Sequence, residues 1–106
     1  MNISKSEIDS TTVFRLEGDL DTNSSPLAEE AFSDAIAGGC SSMLVNLDDV
    51  GFVSSAGLRV LLAAAKKLGG QLRVCGLNET VKEVFEISGF ITIFSVFPTE
   101  EEALQG

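Results

Sequence analysis

Apolar and polar residues follow a β-strand pattern at three places in the first half of the chain. Residues 12–18 alternate as a half-buried strand does, and residues 3–9 alternate more weakly, as an edge strand does. The polar break at residues 9–11 predicts that these two strands form a hairpin. Residues 43–47 are almost entirely apolar, which is typical of a central strand covered on both faces.

Two further stretches of the chain carry apolar residues at helical spacing. The first begins at Ser24–Ser25–Pro26, where we expect a serine cap and then a proline whose missing N–H costs nothing in the first turn. Gly38–Gly39 ends this helix. The second helix begins at Ser54–Ser55 and stops at Gly69–Gly70. Its apolar face consists of Leu58, Leu61, Leu62, Ala65 and Leu68.

The last third of the chain continues this alternation of strand and helix. Residues 71–75 predict a strand, and Asn78 predicts the cap of a helix that ends at Gly89. Residues 91–97 predict a last strand, and residues 98–102 open a short final helix. The order favours an α/β fold, with a mostly parallel mixed sheet of about five strands and about four helices. We expect a single domain over residues 1–106.

The chain is strongly acidic, with 16 aspartates and glutamates against 7 lysines and arginines and a formal net charge of −9. That balance argues against nucleic acid and against an anionic membrane surface as partners, because both would repel it. No apolar run reaches membrane-spanning length, and residues 1–5 lack the apolar segment of a signal peptide, so we expect a cytoplasmic protein. Cys40 and Cys75 are too few for a disulfide framework and match no zinc motif.

Candidate chemistry gathers beyond the carboxyl ends of the predicted parallel strands. Two aspartates follow one strand, two follow the next, and two serines begin the helix after that. These six residues, which we predict to share one rim, are Asp19, Asp21, Asp48, Asp49, Ser54 and Ser55. A hydroxyl at a helix start lies among unpaired N–H groups at the positive end of the dipole, which is a natural place to hold a phosphate. The pattern indicates a phosphorylatable binding switch.

The sequence argues against an enzyme. It contains no histidine to activate a serine, and Val53 takes the first glycine position of a Gly-x-Ser-x-Gly elbow centred on Ser55. No Walker lysine follows a glycine-rich loop, so we expect no nucleotide and no other cofactor. The aspartates have oxygens that bind Mg²⁺ or Ca²⁺, but we interpret them as an exposed acidic rim and predict no metal site.

Five segments in this order resemble the STAS family, which comprises anti-sigma factor antagonists and their relatives. The segments are Glu17-Gly18-Asp19-Leu20-Asp21, Leu44-Val45-Asn46-Leu47-Asp48-Asp49-Val50, Phe52-Val53-Ser54-Ser55-Ala56-Gly57-Leu58, Val74-Cys75-Gly76-Leu77 and Phe85-Glu86-Ile87-Ser88-Gly89-Phe90. The resemblance covers nearly the whole chain and implies a STAS-like fold.

The resemblance also implies a function. Stand-alone members of the family bind a cognate anti-sigma factor, often a serine kinase, and so release a sigma factor. The kinase phosphorylates a serine at this helix start, which breaks the complex, and a phosphatase restores it. Ser55 aligns with the phosphoacceptor, with Ser54 as the alternative. The expected contact surface includes Asp21, Ser54, Ser55, Gly57 and Arg59. The kinase supplies ATP itself, and the sequence leaves the oligomeric state open.

Two departures from the family pattern support a second hypothesis. Ser54 stands where many phosphorylated members carry aspartate, and Ala56 stands where they often have a second serine. The protein is then a scaffold or sensory interaction module of the same fold that is never phosphorylated. A third hypothesis is a small-ligand carrier with an apolar pocket near Phe90, Phe94 and Phe97, although these aromatics also suit a core.

Overall fold

A computed structural model gives the fold and describes residues 1–89 and 92–106. Within these residues there are five strands and four helices, in the predicted order. They are β1 (Asn2–Ile8), β2 (Thr11–Glu17), α1 (Ser25–Ala37), β3 (Met43–Asp49), α2 (Ser55–Lys67), β4 (Leu72–Cys75), α3 (Glu79–Ile87), β5 (Ser95–Phe97) and α4 (Glu100–Gln105). The prediction of an α/β fold with a mostly parallel sheet is confirmed.

The strands lie side by side in the order β1-β2-β3-β4-β5. β1 and β2 are antiparallel and form the predicted hairpin, whose turn places Asp9 and Ser10 at φ values of 50° and 68°. Both residues therefore adopt the left-handed conformation that suits a two-residue hairpin turn. The other neighbouring strands are parallel, so their carboxyl ends meet at one edge of the sheet.

Both faces of the sheet are covered. Phe14 and Val45 face the larger core, which also contains buried residues of α1, α2 and α3. Leu44 and Cys75 face a smaller core beneath Ala103 of α4. This arrangement confirms the prediction that β3 is covered on both sides. Burial raises the pKa of the Cys75 thiol to about 12, so the thiol stays protonated at neutral pH.

Two predicted strand boundaries were wrong by two residues or more. β3 continues past residue 47 to Asp49, because Asp49 pairs with Glu17 and its carbonyl accepts the Gly18 N–H at 3.0 Å. The last strand covers only Ser95–Phe97 instead of residues 91–97. Phe94 precedes it and packs against Phe85 of α3, with ring centroids 5.5 Å apart. Residue 91 lies outside the described residues.

A polar cluster holds α4 against the sheet. Arg15 on β2 donates to both carboxylate oxygens of Glu100, at 2.9 and 2.8 Å, and Asn46 on β3 donates to the same carboxylate at 3.1 Å. Arg73 on β4 donates to the carbonyl of Ala103 near the other end of α4. The hydrogen bonds from Arg15 lower the pKa of Glu100 and raise the pKa of Arg15.

This cluster predicts that part of the stability of the fold is lost in acid. The pKa of Glu100 is lowered in the folded state. Its ionised carboxylate therefore stabilises the fold fully above the ordinary pKa of a glutamate, and this stabilisation is lost as the pH falls through the folded-state pKa. We expect Glu100→Gln to lower the free energy of unfolding by about 1 kcal/mol at pH 7 and by much less at low pH. Urea unfolding at the two pH values measures this. Glu101→Gln is the matched control, because Glu101 is exposed and its replacement changes the net charge equally. Equal losses in the two variants would contradict the prediction.

Candidate functional site

The start of α2 is joined to the loop after β2 by backbone hydrogen bonds. The Leu20 N–H donates to the Phe52 carbonyl at 2.9 Å, and the Ser54 N–H donates to the Leu20 carbonyl at 2.9 Å. Leu20 and Val53 thereby form an isolated parallel bridge. Both side chains are fully buried. The loop that carries Asp19 and Asp21 is therefore fixed beside the two serines.

Gly57 sets how closely α2 approaches this loop. It is buried, and a Cβ atom at its position would lie 2.6 Å from the Leu20 carbonyl oxygen and 2.8 Å from the Leu20 Cγ. Only glycine fits without a shift of the backbone. Gly57, which we predict to belong to the contact surface, is buried, so its structural role is to let α2 approach Leu20 beside Ser54 and Ser55.

The two adjacent serines have different environments. Ser54 is the N-cap of α2, and its hydroxyl oxygen accepts the Gly57 N–H at 3.2 Å. Ser55 is the first residue of the helix, and it is exposed. The Ser54 oxygen thus already accepts a hydrogen bond within the protein, whereas Ser55 is the more exposed of the two serines.

Asp21 organises the beginning of α1. Its carboxylate accepts the N–H groups of Asn23 at 2.9 Å and Ser24 at 3.0 Å, and these hydrogen bonds, led by that of Ser24, lower the pKa of Asp21. Ser24 is the N-cap residue of α1 and a proline follows in the first turn, as predicted, but the Ser24 side chain makes no cap hydrogen bond. Its hydroxyl instead donates to the Asp19 carbonyl at 2.7 Å and accepts the Asp21 N–H at 2.9 Å.

Two further aspartates of the predicted rim of four aspartates and two serines lie at the end of β3. Asp48 and Asp49 are the last residues of β3 instead of following it. The Asp48 carboxylate lies against the backbone of Gly76 after β4, where an added Cβ would come within 2.1 Å of its Oδ1 atom. Among residues 1–89 and 92–106, no group of three or more histidine, cysteine or acidic side chains could hold a metal ion.

The structure adds exposed apolar side chains that the sequence did not indicate as functional. Phe52, two residues before Ser54, is 42% exposed, and Leu27 is 52% exposed on the first turn of α1. Leu27 lines the same shallow depression as Asp21 and Asn23. Phe52 lies in a loop, where no periodicity marks a large apolar residue as exposed. Arg59 is exposed one helical turn after Ser55.

The aromatic residues proposed as a ligand pocket form core contacts where they are described. Phe94 is buried against Phe85, and Phe97 packs on the smaller core beneath α4. Phe90 lies outside the described residues.

No helix in the described part of the chain has the length and apolar content needed to cross a membrane.

The family model of the STAS domain matches residues 2–103 of this chain. This chain belongs to the STAS family, which confirms the resemblance found in the sequence and the STAS-like fold expected from it.

Two curated relatives cover most of this chain. The putative anti-sigma factor antagonist BtrV of Bordetella bronchiseptica is 35% identical over 97% of this chain and 91% of its own length. The anti-sigma F factor antagonist of Paenibacillus polymyxa is 30% identical over 87% of this chain and 82% of its own. These names describe regulatory antagonists, which confirms the prediction that the protein is not an enzyme.

Among solved structures, the chain is similar to the anti-sigma factor antagonist SpoIIAA in two states. Its unphosphorylated form gives a TM-score of 0.83 at 26% identity and covers 98% of this chain and 94% of its own. The phosphorylated form of SpoIIAA, described as a Bacillus cell fate determinant, gives a TM-score of 0.75 at 25% identity, with coverage of 98% and 97%.

Proposed function

We propose that this protein is an anti-sigma factor antagonist that binds an anti-sigma factor of the serine kinase type in the cytoplasm. The supporting observation is that Ser55, the first residue of α2, is exposed next to a loop that presents Phe52. Binding occupies the anti-sigma factor and releases its sigma factor. Phosphorylation of Ser55 by the partner ends the complex, and a phosphatase restores it.

The local electrostatics support a switch that acts at the interface. A phosphate adds a charge of about −1.5 to −2. The first turn of α2 contains no acidic residue, and the positive end of its dipole tolerates an anion there. The helix should therefore survive phosphorylation. A partner packed on Ser55 would meet new charge and a larger group, and would dissociate.

Incubation with the purified partner kinase and ATP, followed by mass spectrometry, tests this proposal. We expect one added phosphate on the wild-type chain, none on Ser55→Ala, and one on Ser54→Ala. Circular dichroism of the phosphorylated sample should retain the native signal. Phosphate on Ser54 alone, or loss of the native signal, would contradict the proposed mechanism.

The second candidate function is a STAS scaffold or sensory module that is never phosphorylated. The residue before Ser55 favours this hypothesis. Many phosphorylated members carry an aspartate at this position, whereas this chain has Ser54 and so no carboxylate directly before Ser55. In that case the same incubation adds no phosphate, while the chain still binds its partner. Stable binding without modification would therefore select the scaffold.

Phe52 is expected to anchor the partner. Exposed aromatic side chains dominate the binding energy of many interfaces. We expect Phe52→Ala to weaken binding to the purified anti-sigma factor by about tenfold, or about 1.4 kcal/mol, as measured by isothermal titration calorimetry. Ile87→Ala is the control, because Ile87 is 80% exposed at the far end of α3 and its loss should leave affinity unchanged. Equal effects would show that general surface hydrophobicity, and not this site, drives association.

A further inference from the structure

A groove runs between α1 and α2 and begins next to Ser55. Its larger part has a volume of about 570 Å³ and starts at Ala56 on the first turn of α2. A smaller part of about 190 Å³ continues along the same two helices as far as Ile36. Val60 and Ala63 line both parts, and Val60 is almost fully buried. The groove therefore has an apolar floor.

The α2 edge of the groove is positively charged. Arg59 and Lys66 line the larger part, and Lys67 lines the smaller. Within the described residues none of the three forms an ion pair, since the one ion pair found there joins Arg15 and Glu100. Three of the chain's 7 basic residues are thus unpaired along one groove of a protein with a net charge of −9.

We infer that this groove binds an acidic, amphipathic helical segment of the anti-sigma factor. Apolar side chains of the segment pack on Val60 and Ala63, and its carboxylates pair with Arg59 and Lys66. Glu29 on the α1 wall is the one acidic residue lining the described groove, and it accepts a hydrogen bond from the segment. The identity of the partner rests on the proposed function, whereas the chemistry of the segment rests on the groove.

The position of the groove connects it to the switch. Ser55 and Arg59 are one helical turn apart, so their side chains lie on the same side of α2. A phosphate on Ser55 lies at the mouth of the groove and both repels the carboxylates of the segment and competes for Arg59. A second copy of this chain is disfavoured as occupant, because two chains of charge −9 repel each other.

Two designed helical peptides of about 18 residues test the groove directly. Both carry the same leucine and alanine face, and one has glutamates where the other has lysines. In titrations of the ¹⁵N-labelled chain, we expect the glutamate peptide to shift amide signals of α1 and α2 and to bind at least about tenfold more tightly than the lysine peptide. Equal affinities, or shifts confined to other elements, would overturn the inference. Groove signals that move with chain concentration alone would do so too, since they indicate a second copy.

Matched charge variants extend the test to the partner. The double variant Arg59→Gln/Lys66→Gln should bind the glutamate peptide and the purified anti-sigma factor at least about tenfold more weakly than wild type. The control Lys5→Gln/Lys82→Gln removes the same charge from β1 and α3 and should bind normally. If the first variant binds the anti-sigma factor with unchanged affinity, the inference that the groove binds the partner is overturned, while the proposed function stands. If wild type does not bind the anti-sigma factor, the proposed function fails. The peptide titrations then still test whether the groove binds an acidic helix.

Discussion

Replacing Ser55 by aspartate is expected to weaken binding to the anti-sigma factor by about 100-fold, equivalent to about 3 kcal/mol, while Ser55→Ala binds as wild type does. The reason is that Ser55 is exposed at the first residue of α2, where a carboxylate stands in for part of the phosphate charge. The fold should not change, because a negative charge suits a helix start. Isothermal titration calorimetry with the purified partner measures the affinity, and circular dichroism checks the fold.

The matched control for Ser55→Asp is Thr80→Asp. Thr80 is exposed in the first turn of α3, so the substitution adds the same charge to the first turn of a different helix. It should leave the affinity unchanged. If Thr80→Asp weakens binding as much, then overall acidity and not the Ser55 position controls the complex. If Ser55→Asp binds normally, charge at this residue is not the switch.

Replacing Gly57 by valine is expected to lower the free energy of unfolding by about 3 kcal/mol. The added side chain would meet the Leu20 carbonyl oxygen 2.6 Å from its Cβ, and this oxygen accepts the Ser54 N–H. The backbone must move to make room, and that movement shifts the loop carrying Asp21 away from the start of α2. Urea unfolding measures the loss of stability.

Gly51→Val is the control for the Gly57 substitution. A Cβ atom at Gly51 meets only the flexible Asp19 carboxylate, at 3.1 Å, and the position is exposed. We expect a stability change within about 0.5 kcal/mol. A similar loss at both glycines would mean that valine is poorly tolerated throughout this loop. A stable Gly57→Val protein would show that the close approach of α2 to Leu20 is not required.

Ser55 and Gly57 have different roles at the start of α2. Ser55 carries the hydroxyl proposed to be phosphorylated, and Gly57 allows the start of α2 to lie close to the loop after β2. A serine at a helix start is common as a cap, and Ser54 has that role here. Because Ser54 accepts the capping hydrogen bond, the proposed modification of Ser55 would leave that cap in place.

The sequence determined the order of strands and helices, the mostly parallel sheet and the helix beginning at Ser55, because each depends on local periodicity and on capping or breaking residues. It also placed Asp21 and the serines beyond the ends of parallel strands. It misplaced the end of β3 and the start of the last strand, because pairing with Glu17 and the packing of Phe94 on Phe85 involve residues distant in sequence.

Only the tertiary structure decided which of these groups face solvent and which face each other. Ser24 and Ser54 look alike in sequence, yet one binds the loop before it while the other caps its own helix. The burial of Gly57 and the groove between α1 and α2 arise where separate elements approach each other. Local patterns report a residue's preference for helix, strand or turn, but its exposure is set by neighbours that the chain brings together only on folding.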